Sequence, residues 1–278
     1  MPNALRRHLK IVTCAIVAAT AAGALAMTAL AQRRGGFFGM RLPPNPQYDG
    51  AFQYCRGVYK RHPRGDGGGW MTDYPQADQN LPFRFAELTK AAVSRDENGN
   101  FNHAIVSLTD DALYRCPIVI MQEVGSIYLD EEDAAHLRNY LTKGGFLWVD
   151  DFWGEYAWQI WETEIRKALP SGEFPMIDLP IEHPLFHVLY DVKGVAQIPS
   201  INYWMGSGGR TSERGPDSQV PHARAILDEK QHVLVLITHN TDYSDAFERE
   251  GESHAYFERF AGLGYAFGIN ALLYALSH

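Results

Sequence analysis

The stretch from Pro117 to Glu155 constrains the fold more than any other part of the chain, because two apolar runs flank a helix pattern. PIVIM and FLWV are each about one strand long without a polar break, which is typical of strands buried on both faces of a parallel sheet. Asp130 is the predicted N-cap of the helix, and Lys143 with Gly144 marks its end. Because a strand–helix–strand connection crosses over right-handedly, the second strand is predicted to lie parallel to the first.

Similar patterns recur along the rest of the chain. Strand patterns occupy 51–59, 104–108 and 223–238, the last containing a hairpin, and helix patterns occupy 82–93, 155–169 and 254–276. This alternation predicts an α/β domain with three layers, in which a mostly parallel sheet is flanked by helices. In such a sheet, ligands bind beyond the carboxyl ends of the strands.

The N-terminus carries the pattern of an export signal. Basic residues that include Arg6 and Arg7 precede an apolar run over 11–27, and Ala29-Leu30-Ala31 forms a small-residue cleavage site. Residues 1–31 are therefore predicted to be a signal peptide. Because the apolar run approaches the length of a membrane span, an uncleaved N-terminal membrane anchor is the alternative.

Beyond this leader, residues 32–47 are predicted to be a Gly/Pro-rich tether and residues 48–278 a single α/β domain. The domain is predicted to be periplasmic or secreted, or alternatively anchored in the inner membrane by residues 11–31. Without residues 1–31 the chain has 22 Lys and Arg against 33 Asp and Glu. This negative charge argues against nucleic acid as a partner, and it limits the predicted membrane contact to an uncleaved N-terminal segment.

Two cysteines lie outside the leader. Cys55 and Cys116 both flank buried strand patterns, where a free buried thiol is the more common state. We therefore expect free cysteines, with a disulfide as the alternative that an oxidising compartment would permit.

Polar residues follow three of the predicted strands. Gln122-Glu123 follows PIVIM, Asp150 to Glu155 follows FLWV, and His239 to Asp245 follows the apolar run VLVLIT. If these strands are parallel, the three turns converge at one edge of the sheet. The sequence therefore predicts a ligand site at that edge.

The predicted ligand-binding residues are polar or aromatic side chains at these turns or near the strand ends: Arg56, Asp73, Asp150, Trp153, Glu155, Asn240 and Asp242. Carboxylates beside a tryptophan suit a small polar molecule such as a sugar. Plainer interpretations stay open. One of Asp150 and Asp151 could cap the next helix, the tryptophan could pack in the core, and Arg56, Asp73 and Asp78 could form a buried charge network.

Asp151 and His239 are the predicted catalytic residues, since a carboxylate and a histidine can exchange protons with a substrate. The acidic run over 239–248 does not match the spacing of a calcium-binding loop. His183 and His187 lack the acidic residue between them that a zinc-protease helix requires. The sequence therefore predicts no metal site and no cofactor.

Several motifs are spread along the chain from about Phe52 onward: Arg56 with Tyr59, Trp70-x-x-Asp73-Tyr74-Pro75 with Asp78, GGFLWVDDFWG, His183-Pro184, Asn240-x-Asp242 and GINALLYALSH. Together they resemble the bacterial domain of unknown function 4159 family. That family in turn resembles the class I glutamine-amidotransferase-like (flavodoxin-like) fold. This resemblance implies that the turn after FLWV corresponds to the one that carries the cysteine nucleophile of an amidotransferase. Asp150-Asp151-Phe152 stands there instead, which argues against thiol amidotransfer.

These observations favour an exported domain without amidotransferase chemistry that binds a small polar, sugar-like ligand or an envelope protein in a strand-end crevice. One alternative is a hydrolase acting on a carbohydrate or a related envelope molecule through Asp151 and His239. Another is a docking module of a membrane complex. Whether the protein is an enzyme is left open by the sequence.

Overall fold

A seven-stranded sheet forms the centre of the computed structural model, which describes residues 42–277. Its strands are β1 (Tyr54–Val58), β3 (His103–Ser107), β4 (Ile118–Gln122), β6 (Phe146–Asp150), β7 (Met176–Asp178), β8 (His222–Leu227) and β9 (Val233–His239). Two short strands, β2 (Lys60–Arg61) and β5 (Ile127–Tyr128), pair with each other. The predicted leader and the first part of the predicted tether lie outside the described residues.

The strand order is β3-β1-β4-β6-β9-β8-β7. The strands from β3 to β9 in this order are parallel, whereas β8 is antiparallel to both of its neighbours. FLWV pairs with PIVIM on one side and with VLVLIT on the other, in parallel register. The predicted mixed α/β class and the mostly parallel sheet are therefore confirmed. The amidotransferase-like detail stays a prediction.

Helices cover both faces of the sheet. In chain order they are α1 (Gln76–Thr89), α2 (Glu131–Thr142), α3 (Gly154–Ala168), α4 (Ile201–Gly206), α5 (Tyr243–Glu248), α6 (His254–Tyr256) and α7 (Gly262–Ser277), with a π-helical turn at Phe257–Ala261. Helices α1, α5 and α7 pack together on one face, and α2 packs against α3 on the other. Trp148 of β6 contacts Tyr243, Phe247 and Phe267 on the first face. Apolar burial on both faces explains why the central strands read as unbroken hydrophobic runs.

The helix between β4 and β6 begins as its sequence indicates. Asp130 accepts a hydrogen bond from the backbone N–H of Asp133, and the Asp133 side chain accepts one from the backbone N–H of Asp130. This reciprocal capping box satisfies two backbone donors that a helix start leaves unpaired.

The predicted start of α1 is wrong. The sequence pattern placed it at Pro82, whereas the helix begins at Gln76 and contains Pro82 in its interior. Proline favours a first helical turn, but here Pro82 is a buried residue in the interior of the helix. The earlier start places Asp78 in the first turn, where its carboxylate meets Arg56.

The expectation of free cysteines is also wrong, because Cys55 and Cys116 form a disulfide. Cys55 lies in β1 and Cys116 lies just before β4, and these two strands are neighbours in the sheet. Sequence spacing could not reveal this proximity, because sixty-one positions separate the two residues.

The C-terminal helical segment His254–Ser277 is long and apolar enough to span a membrane by length and composition alone. Most of it is buried within the domain, where Phe267, Ile269 and Leu272 join the core. The segment therefore serves as a core helix in this fold.

Candidate functional site

The carboxyl ends of the parallel strands meet at one edge of the sheet. Strands β4, β6 and β9 end there at Gln122, Asp150 and His239, and their register places Gln122 beside Asp150. The antiparallel β8 begins at the same edge, since His222 pairs with His239. The turns that follow these ends carry the polar residues expected from the sequence.

Five buried aspartates, Asp73, Asp150, Asp151, Asp242 and Asp245, gather at this edge, and we name them the aspartate cluster. One carboxylate oxygen from each of Asp73, Asp242 and Asp245 lies within 4.8 Å of the other two. The five residues come from three separate parts of the chain: the turn before α1, the end of β6 and the start of α5. The cluster therefore exists only in the folded sheet.

Asp150 is anchored by the neighbouring strand and by α5. Its Oδ1 accepts a hydrogen bond from Thr238 Oγ1 at 2.6 Å, and its Oδ2 accepts one from the backbone N–H of Ser244 at 2.9 Å. Gln122 Nε2 donates to the hydroxyl oxygen of Ser244, which extends the same polar network to β4. Both oxygens of Asp150 are therefore used to hold the edge of the sheet together.

Asp242 and Asp245 are positioned by a helix cap. Asp242 is the N-cap of α5, and its Oδ1 accepts a hydrogen bond from the backbone N–H of Asp245 at 2.7 Å. Asp245 Oδ2 accepts from the backbone N–H of Ile201 at 2.7 Å and from the Tyr256 hydroxyl at 3.0 Å. Each carboxylate thus has one oxygen fixed by the protein.

Asp73 and Asp151 occupy the left-handed backbone region, with φ values of 63° and 54°. This conformation is uncommon for residues other than glycine and is often retained at functional sites. Asp151 Oδ1 accepts a hydrogen bond from Trp153 Nε1 at 3.0 Å. Asp73 differs from the other members, because its buried Oδ2 has no hydrogen-bond partner.

Burial raises the pKa of every carboxyl group in the cluster, because removal from water disfavours the charged form. Burial raises the pKa of Asp150 to about 7 and that of Asp245 to about 6. For Asp73, Asp151 and Asp242, burial and then repulsion from neighbouring carboxylates raise the pKa well above its usual value. The cluster is therefore a group of weakly solvated carboxyls that resist ionisation unless a counter-charge is present.

Two loops pack around the strand ends. The glycine-rich loop over 62–69 contacts Glu123, whose Oε2 accepts a hydrogen bond from the backbone N–H of Gly69 at 2.6 Å. The segment over 207–220 contacts the turn after β6, where Asp217 accepts from the backbone N–H of Glu155 at 3.0 Å. An ion pair between Asp66 and Arg214 joins the two loops. The loops therefore pack beside the strand ends, and Glu123, which the first loop contacts, is a charged neighbour of Asp151.

His239 lies on the opposite face of the sheet from Asp150. Successive side chains of a strand alternate between faces, and the preceding residue Thr238 contacts Asp150. The His239 ring packs against Phe152 and Trp158, with centroid distances of 4.8 and 5.1 Å. Its Nε2 donates to the Gly154 carbonyl oxygen at 3.1 Å, and burial lowers its pKa to about 3. The neutral imidazole therefore packs against two aromatic rings and stabilises the turn after β6, and within the described residues it forms no hydrogen bond with the aspartate cluster.

Three other predicted ligand-binding residues serve the surrounding structure. Trp153 is buried and donates to Asp151, Glu155 is exposed in the first turn of α3, and Asn240 links two backbone segments. Asn240 Oδ1 accepts from the backbone N–H of Gly154, while its Nδ2 donates to the Val220 carbonyl oxygen. These residues shape the turns, and their predicted ligand contacts stay a prediction.

Arg56, also predicted to bind a ligand, forms a buried ion pair with Asp78. Its Nε lies 3.0 and 2.9 Å from the two carboxylate oxygens, and both side chains are fully buried. Arg56 Nη1 donates to the carbonyl oxygens of Trp70 and Thr72, the residue just before Asp73. The arginine therefore holds the turn that presents Asp73, as the charge-network interpretation expected for Arg56 and Asp78.

Sequence reasoning left two cluster residues out of the predicted ligand set. Asp245 lies three positions after Asp242, and this spacing is typical of an ordinary helix start rather than of a ligand site. The sequence predicts a catalytic role for Asp151 with His239, but the charged neighbours of Asp151 are Glu123 and members of the aspartate cluster. The clustering depends on where α5 packs against α1, which no local pattern specifies.

Two surface grooves lie away from the cluster. One, of about 620 Å³, is lined by residues that include Tyr128, Glu131 and Lys167. The other, of about 460 Å³, lies near Gly145 and Lys230 at the opposite edge of the sheet. Neither groove is lined by a member of the aspartate cluster.

A comparison with protein families gives one match. The model of the family described as Domain of unknown function (DUF4159) matches residues 58–276. This range includes the whole aspartate cluster and most of the sheet. No curated protein matches the chain.

Proposed function

Since the chain belongs to the DUF4159 family, whose description assigns no activity, we propose from the geometry of the site that it is an exported α/β domain that binds a small polar ligand at the aspartate cluster. The observation that carries this proposal is the convergence of five buried aspartates from three separate segments at the carboxyl edge of the sheet. This edge is where open parallel sheets bind ligands. Burying so many carboxylates costs stability, which is a common feature of binding sites.

The chemistry of the cluster favours a ligand that donates hydrogen bonds. Carboxyl oxygens accept hydrogen bonds, so the hydroxyl or amino groups of a ligand complement them. A sugar or amino sugar offers such groups at close spacing. A flat protein surface fits less well, because Asp150 and Asp242 are buried below the surrounding loops. The ligand class favoured by the site is therefore a small polyhydroxylated molecule rather than an envelope protein.

Access to the site requires the bordering loops to move. The Asp66–Arg214 ion pair that joins them is partly exposed, and exposed pairs of this kind contribute little to stability. Both loops contain several glycines, which permit large backbone changes. We expect the loops to open for ligand entry and to close over the bound molecule.

Amidotransferase chemistry is not part of this proposal. Asp151 occupies the sharp turn after β6, where the resemblance to amidotransferases implies a cysteine. Within residues 42–277 both cysteines, Cys55 and Cys116, are joined in a disulfide. A disulfide sulfur cannot act as the thiolate that amide transfer requires.

The disulfide also supports the proposed location outside the cytoplasm. Stable disulfides are common in secreted and periplasmic proteins and rare in reducing compartments. With the N-terminal export pattern, this favours a periplasmic or secreted domain, or one held at the inner membrane by residues 11–31.

The proposal can be tested by thermal-shift screening of the full-length chain, purified in mild detergent, against sugars, amino sugars and cell-wall fragments. We expect at least one compound to raise the Tm of the wild type and of the exposed control Asp111→Asn. The same compound should raise the Tm of Asp151→Asn much less, because a cluster carboxylate has been neutralised. A screen without any hit, or a hit whose effect is unchanged in Asp151→Asn, would count against the site.

A hydrolase acting on a carbohydrate or envelope molecule is the second candidate. It is favoured by Asp151, which stands at a strained turn between strand and helix, as catalytic nucleophiles do in several α/β enzymes. The proposed partner His239 faces Gly154 and Arg224 instead. Slow cleavage of a bound glycoside that is lost in Asp151→Asn but retained in His239→Gln would favour this candidate and assign the chemistry to the cluster alone.

A further inference from the structure

We propose that Asp73, Asp242 and Asp245 bind a divalent cation of the calcium type within the aspartate cluster. The inference rests on the proposed location of the site at the strand ends and adds an ion to it. It departs from the sequence pattern, which predicts no metal, because the three ligands come from two distant segments rather than from one loop.

The spacing of the three carboxylate oxygens suits such an ion. Calcium binds oxygen at about 2.3–2.6 Å, so two oxygens on opposite sides of one ion lie about 4.6–5.2 Å apart. The three oxygens lie within 4.8 Å of one another, and a single ion can therefore reach all of them. Magnesium, with bonds of about 2.0–2.1 Å, would draw the same ligands closer together.

An independent observation at Asp73 also indicates a missing ligand. Its Oδ2 is buried, and no hydrogen-bond donor in the described part of the chain reaches it. The residue as a whole is only 8% exposed. A buried carboxylate oxygen without a partner is costly, and cation binding would remove that cost.

The other two aspartates each hold one oxygen in place and leave the second one available. Asp242 Oδ1 accepts from the backbone of Asp245, which leaves Oδ2. Asp245 Oδ2 accepts from Ile201 and Tyr256, which leaves Oδ1 at 3.7 Å from Arg249 Nε. Hydrogen bonds to one oxygen of a carboxylate commonly orient the other toward a metal.

A further oxygen without a partner lies in the same polar network. Gln122 is fully buried, and its Oε1 has no hydrogen-bond partner, whereas its Nε2 donates to Ser244. Ser244 lies between the two ligands of α5 and donates its backbone N–H to Asp150. An amide oxygen is a common type of calcium ligand, and Gln122 is linked through Ser244 to the helix that follows Asp242.

The basic side chains near the cluster are held mainly by other groups. Arg56 is bound to Asp78 and to two carbonyl oxygens. Arg249 pairs with Glu248 and Glu252, and it also forms a longer ion pair with Asp245 Oδ1 at 3.7 Å. Among residues 42–277, no lysine or arginine forms a hydrogen bond with Asp73 or Asp242. A mobile cation is therefore the partner that the charge distribution lacks.

Isothermal titration calorimetry of the full-length chain tests this inference. The protein is treated with EDTA, exchanged into metal-free buffer at pH 7.5, and titrated with CaCl₂ and, separately, with MgCl₂. We expect one Ca²⁺ per chain to bind, with weaker binding of Mg²⁺. The absence of Ca²⁺ binding at millimolar concentrations would overturn the inference.

Asp73→Asn is the decisive variant, because the buried Oδ2 of the wild-type side chain has no hydrogen bond for the substitution to break. Circular dichroism checks that the variant is folded. Loss of one of three charged ligands should weaken Ca²⁺ binding by at least about tenfold. The exposed control Asp111→Asn should bind as the wild type does. Equal affinity in Asp73→Asn and wild type would place the ion elsewhere and contradict the proposal.

The same protein separates this inference from the proposed function. Thermal-shift screening against sugars is run once in CaCl₂ and once in EDTA. Ca²⁺ binding without any sugar hit supports the ion and contradicts the polar-ligand function. A sugar hit in EDTA, together with a lack of Ca²⁺ binding, supports the function and overturns the ion.

Discussion

At the scale of single residues, two kinds of buried ionisable group lie near the edge of the sheet. Arg56 and Asp78 neutralise each other at close range and are fully enclosed. The aspartates of the cluster have neighbours of the same sign, and burial is the first cause of their raised pKa values. The first group supports the fold, and the second is where we propose that a partner from solution binds.

Asp73→Asn should stabilise the metal-free protein. Because the pKa of Asp73 is raised in the folded state, the folded protein must either take up a proton or tolerate a buried charge at neutral pH. Asparagine avoids both, so the variant should be more stable by about 1–3 kcal/mol at pH 7.5 in EDTA. A raised folded pKa contributes stability below the unfolded pKa, and this contribution is lost as pH rises. The advantage of the variant should therefore disappear near pH 4, as urea denaturation at the two pH values can check.

Arg56→Met should destabilise the protein by about 3–5 kcal/mol, because it leaves the carboxylate of Asp78 buried without its partner. Lys193→Met is the matched control, since it removes an exposed ion pair with Asp191, which contributes little to stability. Urea denaturation of both variants measures the difference. Equal small losses would mean that the Arg56–Asp78 pair is not enclosed as described.

His239 should make folding sensitive to acid. Burial lowers its pKa to about 3, so the unfolded chain takes up a proton below about pH 6.5 that the folded chain refuses. Stability is then lost as pH falls, by at most about 1.4 kcal/mol per pH unit. His239→Gln should lack this component, so the difference between wild type and variant should shrink from pH 7 to pH 4. The stability of the exposed control His254→Gln should change with pH as that of the wild type does. If the stability difference between His239→Gln and the wild type were constant with pH, it would contradict the neutral imidazole.

At the scale of elements, local patterns predicted most strands and helices but not which of them pack against one another. The apolar runs PIVIM, FLWV and VLVLIT became β4, β6 and β9 because burial on both faces leaves a clear signal. The start of α1 was misplaced because a buried proline resembled a helix start. Asp245 and the disulfide escaped prediction because both depend on which elements pack together, and no pattern within one element records that.

The disulfide should stabilise the junction of β1 and β4, which share a single register pair. Replacing both Cys55 and Cys116 by alanine should cost about 2–5 kcal/mol, in part because the crosslink restricts the unfolded chain. Dithiothreitol provides the matched control in thermal denaturation. It should lower the Tm of the wild type toward that of the double variant and leave the double variant unchanged. A Tm of the wild type that does not respond to full reduction would contradict the role of the crosslink.

At the scale of the whole molecule, the parallel sheet explains why the site is where it is. Strands β4, β6 and β9 run in the same direction, so the turns after them meet at one edge although they are distant in sequence. The turn before α1 adds Asp73, which is also distant in sequence from these strand ends. The sequence predicted this convergence correctly, but it paired Asp151 with His239, which alternation along β9 places on the other face.

A crystal structure of the full-length chain grown with MnCl₂ or TbCl₃, which scatter anomalously, would test the central claim most directly. The account predicts one anomalous peak between Asp73, Asp242 and Asp245, at the edge where β6 and β9 end. Ions bound only to exposed carboxylates, or strand ends that open toward opposite sides of the molecule, would contradict it.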